Sequence, residues 1–273
     1  MAAGKYMFSE TVKYFWLEYS LLPAPQGYAL FSGKHIGALI VTLAAVSLCL
    51  YAFGKWDSHK QTVFLRILAF ILPVVELFKT GLLVYEKVYD ASYYPLYMCS
   101  MGMYLFPLII LLGHSRAGSW LSMVSMLIII PGSFSALLFP NWIGLYPLFS
   151  FFSIYSYLWH GILLLFPLCL FKRGAVKETG LSLPKALAFP LLMMPLIHAA
   201  DLRFGQNYWF FEYPEANNPF YGIYESYGYP VYFGSFVLMT LIMSGTSRIL
   251  FWILQKWQGK NKSKTEGNGI END

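Results

Sequence analysis

Long apolar blocks separated by short polar connections dominate the pattern of this chain, at roughly 36 to 53, 63 to 84, 94 to 112, 119 to 138, 148 to 171, 184 to 203 and 228 to 254. An α-helix rises ~1.5 Å per residue, so crossing ~30 Å of hydrocarbon takes about 20 residues. The blocks are near that length and lack the strict apolar/polar alternation of a barrel strand, which predicts helices. The expected fold is all-α, a polytopic integral membrane protein with a seven-transmembrane-helix bundle. Short connections imply antiparallel neighbours. Residues 1–35 read as an extracytoplasmic amino-terminal segment, 36–254 as the transmembrane domain and 255–273 as a polar, disordered cytoplasmic tail.

Composition agrees: of 273 residues 57% are hydrophobic and 12% charged, against about a quarter charged in soluble domains. Charge then supplies orientation. Loops one, three and five, the tail and the adjoining span ends hold twelve basic residues, from Lys55, Lys60 and Arg116 through Lys172, Arg173, Lys177 and Lys185 to Arg248, Lys256, Lys260, Lys262 and Lys264. The opposite side holds five, Lys5, Lys13, Lys34, Lys87 and Arg203. By the positive-inside rule the amino terminus is outside and the carboxyl terminus cytoplasmic. The excess charge therefore reports topology, and no nucleic-acid partner is expected. Lys5, Glu10, Lys13 and Glu18 before the first block argue against a cleavable signal peptide. Tyr14, Phe15, Trp16 and Tyr19 suit an interfacial anchor.

The candidate chemistry lies in polar groups inside the spans, where ionisable residues are costly and face the bundle interior or a water-filled cavity. Span two carries Arg66, Glu76 and Lys79; span five Tyr155, Tyr157 and His160; span six His198 and Asp201. Residues three apart are near neighbours on a helix, so Glu76 with Lys79, Tyr157 with His160 and His198 with Asp201 are each expected to point inward together. Helical rise places Cys99, Lys79 and His198 ~8 Å below the outer boundary, Glu76 at ~12 Å and His160 at ~18 Å. Depth alone thus favours His198 as the neighbour of Cys99. Interior prolines at Pro73, Pro107, Pro131, Pro167, Pro190 and Pro195 free backbone carbonyls and predict kinks. Cys49, Cys99 and Cys169 show neither metal-ligand spacing nor a disulfide pattern, and no metal or other cofactor is expected.

The segments Tyr94-Pro95-Leu96-Tyr97-Met98-Cys99-Ser100 and Tyr157-Leu158-Trp159-His160-Gly161, with Asn207-Tyr208 and Pro214 in the sixth loop, resemble the YwaF-like family of bacterial integral membrane proteins. That family is similar to animal transmembrane acyltransferases that remodel ether phospholipids. The resemblance implies Cys99 as an acyl-accepting nucleophile and His160 as its base. Glu76, Lys79, Tyr157, His198, Asp201, Asn207 and Tyr208 are the supporting or substrate-binding candidates, with Lys79, Asn207 or Tyr208 as donors to an oxyanion. The expected function is a Cys/His acyltransferase or transacylase acting on phospholipids through a thioester. Its partners are membrane lipids and its location a bacterial plasma membrane, crossed several times. The resemblance leaves oligomeric state, lipid class, acyl chain and acceptor open. The alternative is a transporter or small-molecule-binding seven-helix protein, suggested by the proline-broken spans and intramembrane charges. A third reading, a sensor or scaffold, has little surface in such short loops.

Overall fold

The computed structural model describes residues 14–24, 26–177, 179–215 and 218–269, with side chains to residue 258. Residues 1–13 of the predicted amino-terminal segment and 270–273 of the tail lie outside the described residues. The helices are α1 Gly33–Phe53, α2 Ser58–Tyr85, α3 Met101–Leu112, α4 Arg116–Val124, α5 Ile130–Leu138, α6 Phe151–Lys172, α7 Ser182–Phe204 and α8 Tyr221–Gly269. No strand occurs among the described residues. A π-helical segment Ser125–Ile129 joins α4 to α5, so these form one span. Six helices are long and apolar enough to cross a membrane, and Met98–Leu112 is a shorter seventh. The predicted helical membrane bundle is what the chain builds.

Local chemistry explains the boundaries. Ser32, Asp57, Ser115 and Ser150 accept backbone N–H bonds at the starts of α1, α2, α4 and α6, satisfying donors that a helix leaves open. Pro131 cannot donate to a carbonyl one turn back, and the wider π turn directly before it absorbs the misfit. In α8 the break falls at Gly228, with φ 74° and ψ −176°, two residues before Pro230. The apolar block starting at 228 thus matches the straight part of that helix, which continues into the polar tail as far as Gly269.

Burial separates the spans. In α6, 15 of the 22 residues are buried, and it packs against α1, α2 and α5. A helix apolar all round belongs at the centre of a bundle. By contrast α1, α7 and α8 expose Ile40, Val41, Leu48, Leu191, Leu192, Leu196, Leu238 and Ile242, as lipid-facing surfaces should. Close approach in the core is marked by Gly102 against Leu163 and by Phe106 stacked on Phe166 at 4.2 Å.

The turn between α3 and α4 is tight. Gly113 has φ 51°, and a Cβ added at Gly118 would lie 2.3 Å from the Gly113 carbonyl oxygen. Backbone cannot step aside as a side-chain end can, so Gly118→Ala is expected to destabilise the protein by about 2 kcal/mol. Gly81→Ala meets nothing within 4 Å and should be neutral or stabilising. Thermal unfolding in detergent compares the two, and equal midpoints would refute the close approach.

Candidate functional site

On α2, Glu76 and Lys79 stand one turn apart and form an ion pair of 2.8 Å, with side chains 5% and 13% exposed. Burying one member of such a pair without the other is costly, so the two side chains stabilise each other's place in the bundle. Tyr155 of α6 donates its hydroxyl to Glu76 Oε2 at 2.5 Å, and Lys79 Nζ lies 5.1 Å from the centre of the same ring. One turn on, Trp159 packs on Tyr155 with ring centres 5.3 Å apart and donates its indole N–H to the Cys99 carbonyl at 3.1 Å. Cys99 lies in the 3-10 turn Met98–Ser100 that opens span three, partly buried and within electrostatic reach of Lys79, Glu76 and Tyr155. The other cysteines differ. Cys169 is buried in the apolar core, with Cys49 beside it.

The apolar block starting at residue 94 predicts that span three begins there, but helix begins only at Met98. Pro95 interrupts the backbone ladder, so the carbonyls of this approach need outside donors. Aromatic side chains supply them. Tyr208 donates to Ala91 O at 2.7 Å, Trp209 to Leu96 O at 2.9 Å and Tyr104 to Pro95 O at 3.2 Å. Together with Trp159 they suspend the strand of chain that carries Cys99. Neither Trp159 nor Trp209 is evident as a candidate in the sequence. For Trp159 the available signal is an indole in mid-span, away from the interfacial belt; for Trp209, which lies in the loop after α7, it is only Pro95, which interrupts the backbone ladder.

His160 occupies another face of α6. Its Nδ1 lies 2.7 Å from the Ser156 carbonyl, and its ring stacks on Trp142 at 5.0 Å. A carbonyl oxygen only accepts, so Nδ1 carries the proton and Nε2 is the basic nitrogen. Tyr157 shares this face as expected, its ring against Trp142 and its hydroxyl 3.0 Å from that of Tyr28. No hydrogen bond among the described residues joins His160 to Cys99.

One expectation for span six is corrected. His198 does not point inward with Asp201: it is 53% exposed and sits 3.9 Å from Glu212, whereas Asp201 is 2% exposed. Helical rise fixes depth but not direction around the axis, and three residues leave a pair about 60° apart on the helical wheel. Asp201 Oδ1 accepts the Tyr208 backbone N–H at 2.8 Å, holding the loop where α7 ends at Gly205, φ 65°. Burial and the Asp201 carboxylate push the Tyr208 hydroxyl up to about 12, keeping it a neutral donor. Asn207 is taken up in the same loop, donating to Tyr213 O at 2.7 Å and accepting from Glu212 N at 3.2 Å. Arg66 lies on the exposed side of α2, away from the site.

A further cluster closes the same end of the bundle. Glu18, 1% exposed, accepts the Tyr93 hydroxyl, the Tyr146 hydroxyl at 3.5 Å and the Ser20 backbone N–H at 2.8 Å. Its own N–H donates to Glu86 at 3.3 Å. Burial raises the Glu86 carboxyl above the usual range, against the opposing pull of the Glu18 backbone N–H that it accepts. Trp16 rests on Phe78 and Phe151, which ties the amino-terminal segment over the ends of α2 and α6.

The model of the TMEM164 family matches residues 30–246, from the start of α1 to well into α8. The chain belongs to the TMEM164 family. This is a transmembrane family, and the match agrees with a multi-pass membrane protein. No curated protein and no solved structure shows significant similarity to the chain. Within the family match lie Glu76, Lys79, Cys99, Tyr155 and His160, so the whole polar cluster belongs to the shared part of the chain.

Proposed function

We propose that this member of the TMEM164 family is a phospholipid acyltransferase or transacylase of a bacterial plasma membrane, working through a thioester on Cys99. The observation that carries the reading is the setting of Cys99. Packed against the core like the other two, it alone of the three cysteines also stands within electrostatic reach of the Glu76–Lys79 pair, in the 3-10 turn that opens a span. The resemblance of the Cys99 and His160 segments to YwaF-like proteins and animal ether-phospholipid acyltransferases supports the same chemistry.

The steps balance without a redox partner. The thiol proton passes to His160 Nε2, and the thiolate attacks the ester carbonyl of a donor phospholipid. Lys79, held by its contact with Glu76, is placed to stabilise the developing oxyanion. The tetrahedral adduct collapses, the C–O bond to the donor breaks, and the departing lysolipid alkoxide takes the proton back from the imidazolium. The hydroxyl of an acceptor lipid then loses its proton to His160, attacks the thioester and restores the thiol. Hydrogen bonds to a base often tighten only when substrate is bound, which accommodates an imidazole resting against Trp142.

The test is incubation of the full-length protein in nanodiscs with an alkyne-tagged acyl phospholipid. Wild type, Cys49→Ala and Cys169→Ala should acquire a hydroxylamine-sensitive label, and Cys99→Ala none. His160→Ala should label at least ~100-fold more slowly. An unlabelled wild type, or label persisting in Cys99→Ala, would overturn the proposal.

A further inference from the structure

The opposite end of the bundle holds a second feature, independent of Cys99. Between the α3–α4 turn and the chain leaving α6 lies a cavity of about 340 Å³, lined by His114, Ser119, Met123, Gly174, Val176 and Lys177 among others. That volume is in the range of small-ligand sites. We propose that this cavity binds the phosphate headgroup of an anionic lipid from the leaflet on the basic side of the bundle.

The local sequence builds both walls. At the end of α6, Gly174 adopts φ 79°, its N–H bonds Phe171 O at 2.9 Å, and the N–H of Ala175 reaches Leu170 O at 3.0 Å. This pairing, six residues back to one and five back to two, is the Schellman turn, which reverses the chain and brings an apolar residue back onto the helix. Ala175 is that residue, packed against the core; Val176 after it is 6% exposed, and Lys177 follows at the rim. On the other wall Gly113, φ 51°, ends α3, and Ser115 caps α4. His114 is thereby held at the rim opposite Lys177, with Ser119 one turn into α4.

Rim and floor differ in character, and that difference selects the ligand. The rim offers an ammonium, an imidazole, a hydroxyl and the positive end of α4, all suited to phosphate oxygens. Met123 and Val176 form an apolar floor. The same two residues border a deeper void of about 10 Å³, closed by Met126, Leu127, Phe171 and Phe251 beside the π-helical segment. A void that small admits no acyl chain, so the floor receives only the glycerol end while the chains stay in the membrane. A free anion would use the rim and gain nothing from the floor. A zwitterionic lipid would bring a cation toward Lys177. An anionic phospholipid satisfies both parts, and the cavity lies at the helix ends, where such headgroups are found.

Native mass spectrometry of the full-length protein, mixed in neutral detergent with equimolar dioleoyl phosphatidic acid and dioleoyl phosphatidylcholine, tests this. Phosphatidic acid should be retained at least fivefold over phosphatidylcholine. His114→Ala and Lys177→Ala should each reduce its retention by about fivefold. Met123→Trp, which fills the floor and leaves the rim charges in place, should reduce it as well. Lys60→Ala, on the same basic face but paired with Asp57, should leave it unchanged. Equal retention of both lipids, an equal loss in Lys60→Ala, or displacement by an equal concentration of inorganic phosphate would each overturn the proposal. Unfolding midpoints of the lipid-free variants keep a folding defect distinct from lost binding.

Discussion

Glu76→Ala is expected to destabilise the bundle by about 3–5 kcal/mol, the cost of leaving one member of a buried pair without its counter-charge. Lys79 would retain only the face of the Tyr155 ring, 5.1 Å away, and the Tyr155 hydroxyl would lose its acceptor. Unfolding in detergent or bicelles measures the loss. Glu76→Gln keeps an acceptor for Tyr155 and should cost less, and the double variant Glu76→Gln/Lys79→Met should recover most of the stability by removing both charges. If the double variant were no more stable than Glu76→Ala, the two charges would not be coupled as the 2.8 Å separation requires. Acyl labelling separates structure from chemistry: the stable double variant should still lose it, because Lys79 is the charge nearest the sulfur that favours an oxyanion.

Glu18→Ala should have the second largest effect, about 3 kcal/mol, since hydrogen bonds to a charged acceptor are worth about 1.5–3 kcal/mol and Tyr93 and Tyr146 would both lose theirs. The consequence reaches the site through the chain. Tyr93 lies in the segment that Tyr208, Trp209 and Tyr104 also hold, six residues before Cys99. Hydrogen exchange should therefore rise over residues 14–24 and 91–97 together, and labelling at Cys99 should slow although no group touching the sulfur has changed. Faster exchange in 14–24 alone would show that Glu18 anchors only its own segment.

The spans were legible because burial in lipid demands long apolar blocks, and the block limits fall within about five residues of the helices except in α8, which starts before the Gly228 break and runs on into the polar tail. Span three shows where that logic stops: hydropathy counts Tyr94, Leu96 and Tyr97 as membrane residues, but Pro95 sets the backbone, so helix waits until Met98. The Glu76–Lys79 pair was legible because both partners sit on one helix. The direction of His198 was not, because Glu212, its partner, comes from a loop whose path no periodicity encodes. The same holds for Glu18, whose Oε1 meets hydroxyls 75 and 128 residues away. The π-helical turn inserts extra rotation before α5, which a uniform 100° per residue cannot anticipate.

The shortness of span three bears on the bilayer itself. Three residues of 3-10 turn and twelve of α-helix give a rod of roughly 20–25 Å, against a hydrocarbon thickness of ~30 Å. Its neighbour α2 is 28 residues long, so the deficit is local to one sector of the wall. Hydrophobic mismatch of this kind draws the adjoining leaflet down. Glycerol ester groups, which ordinarily ride above the hydrocarbon, would then descend toward the level of the Cys99 sulfur, and the thickness of the host membrane would set how readily lipids reach it.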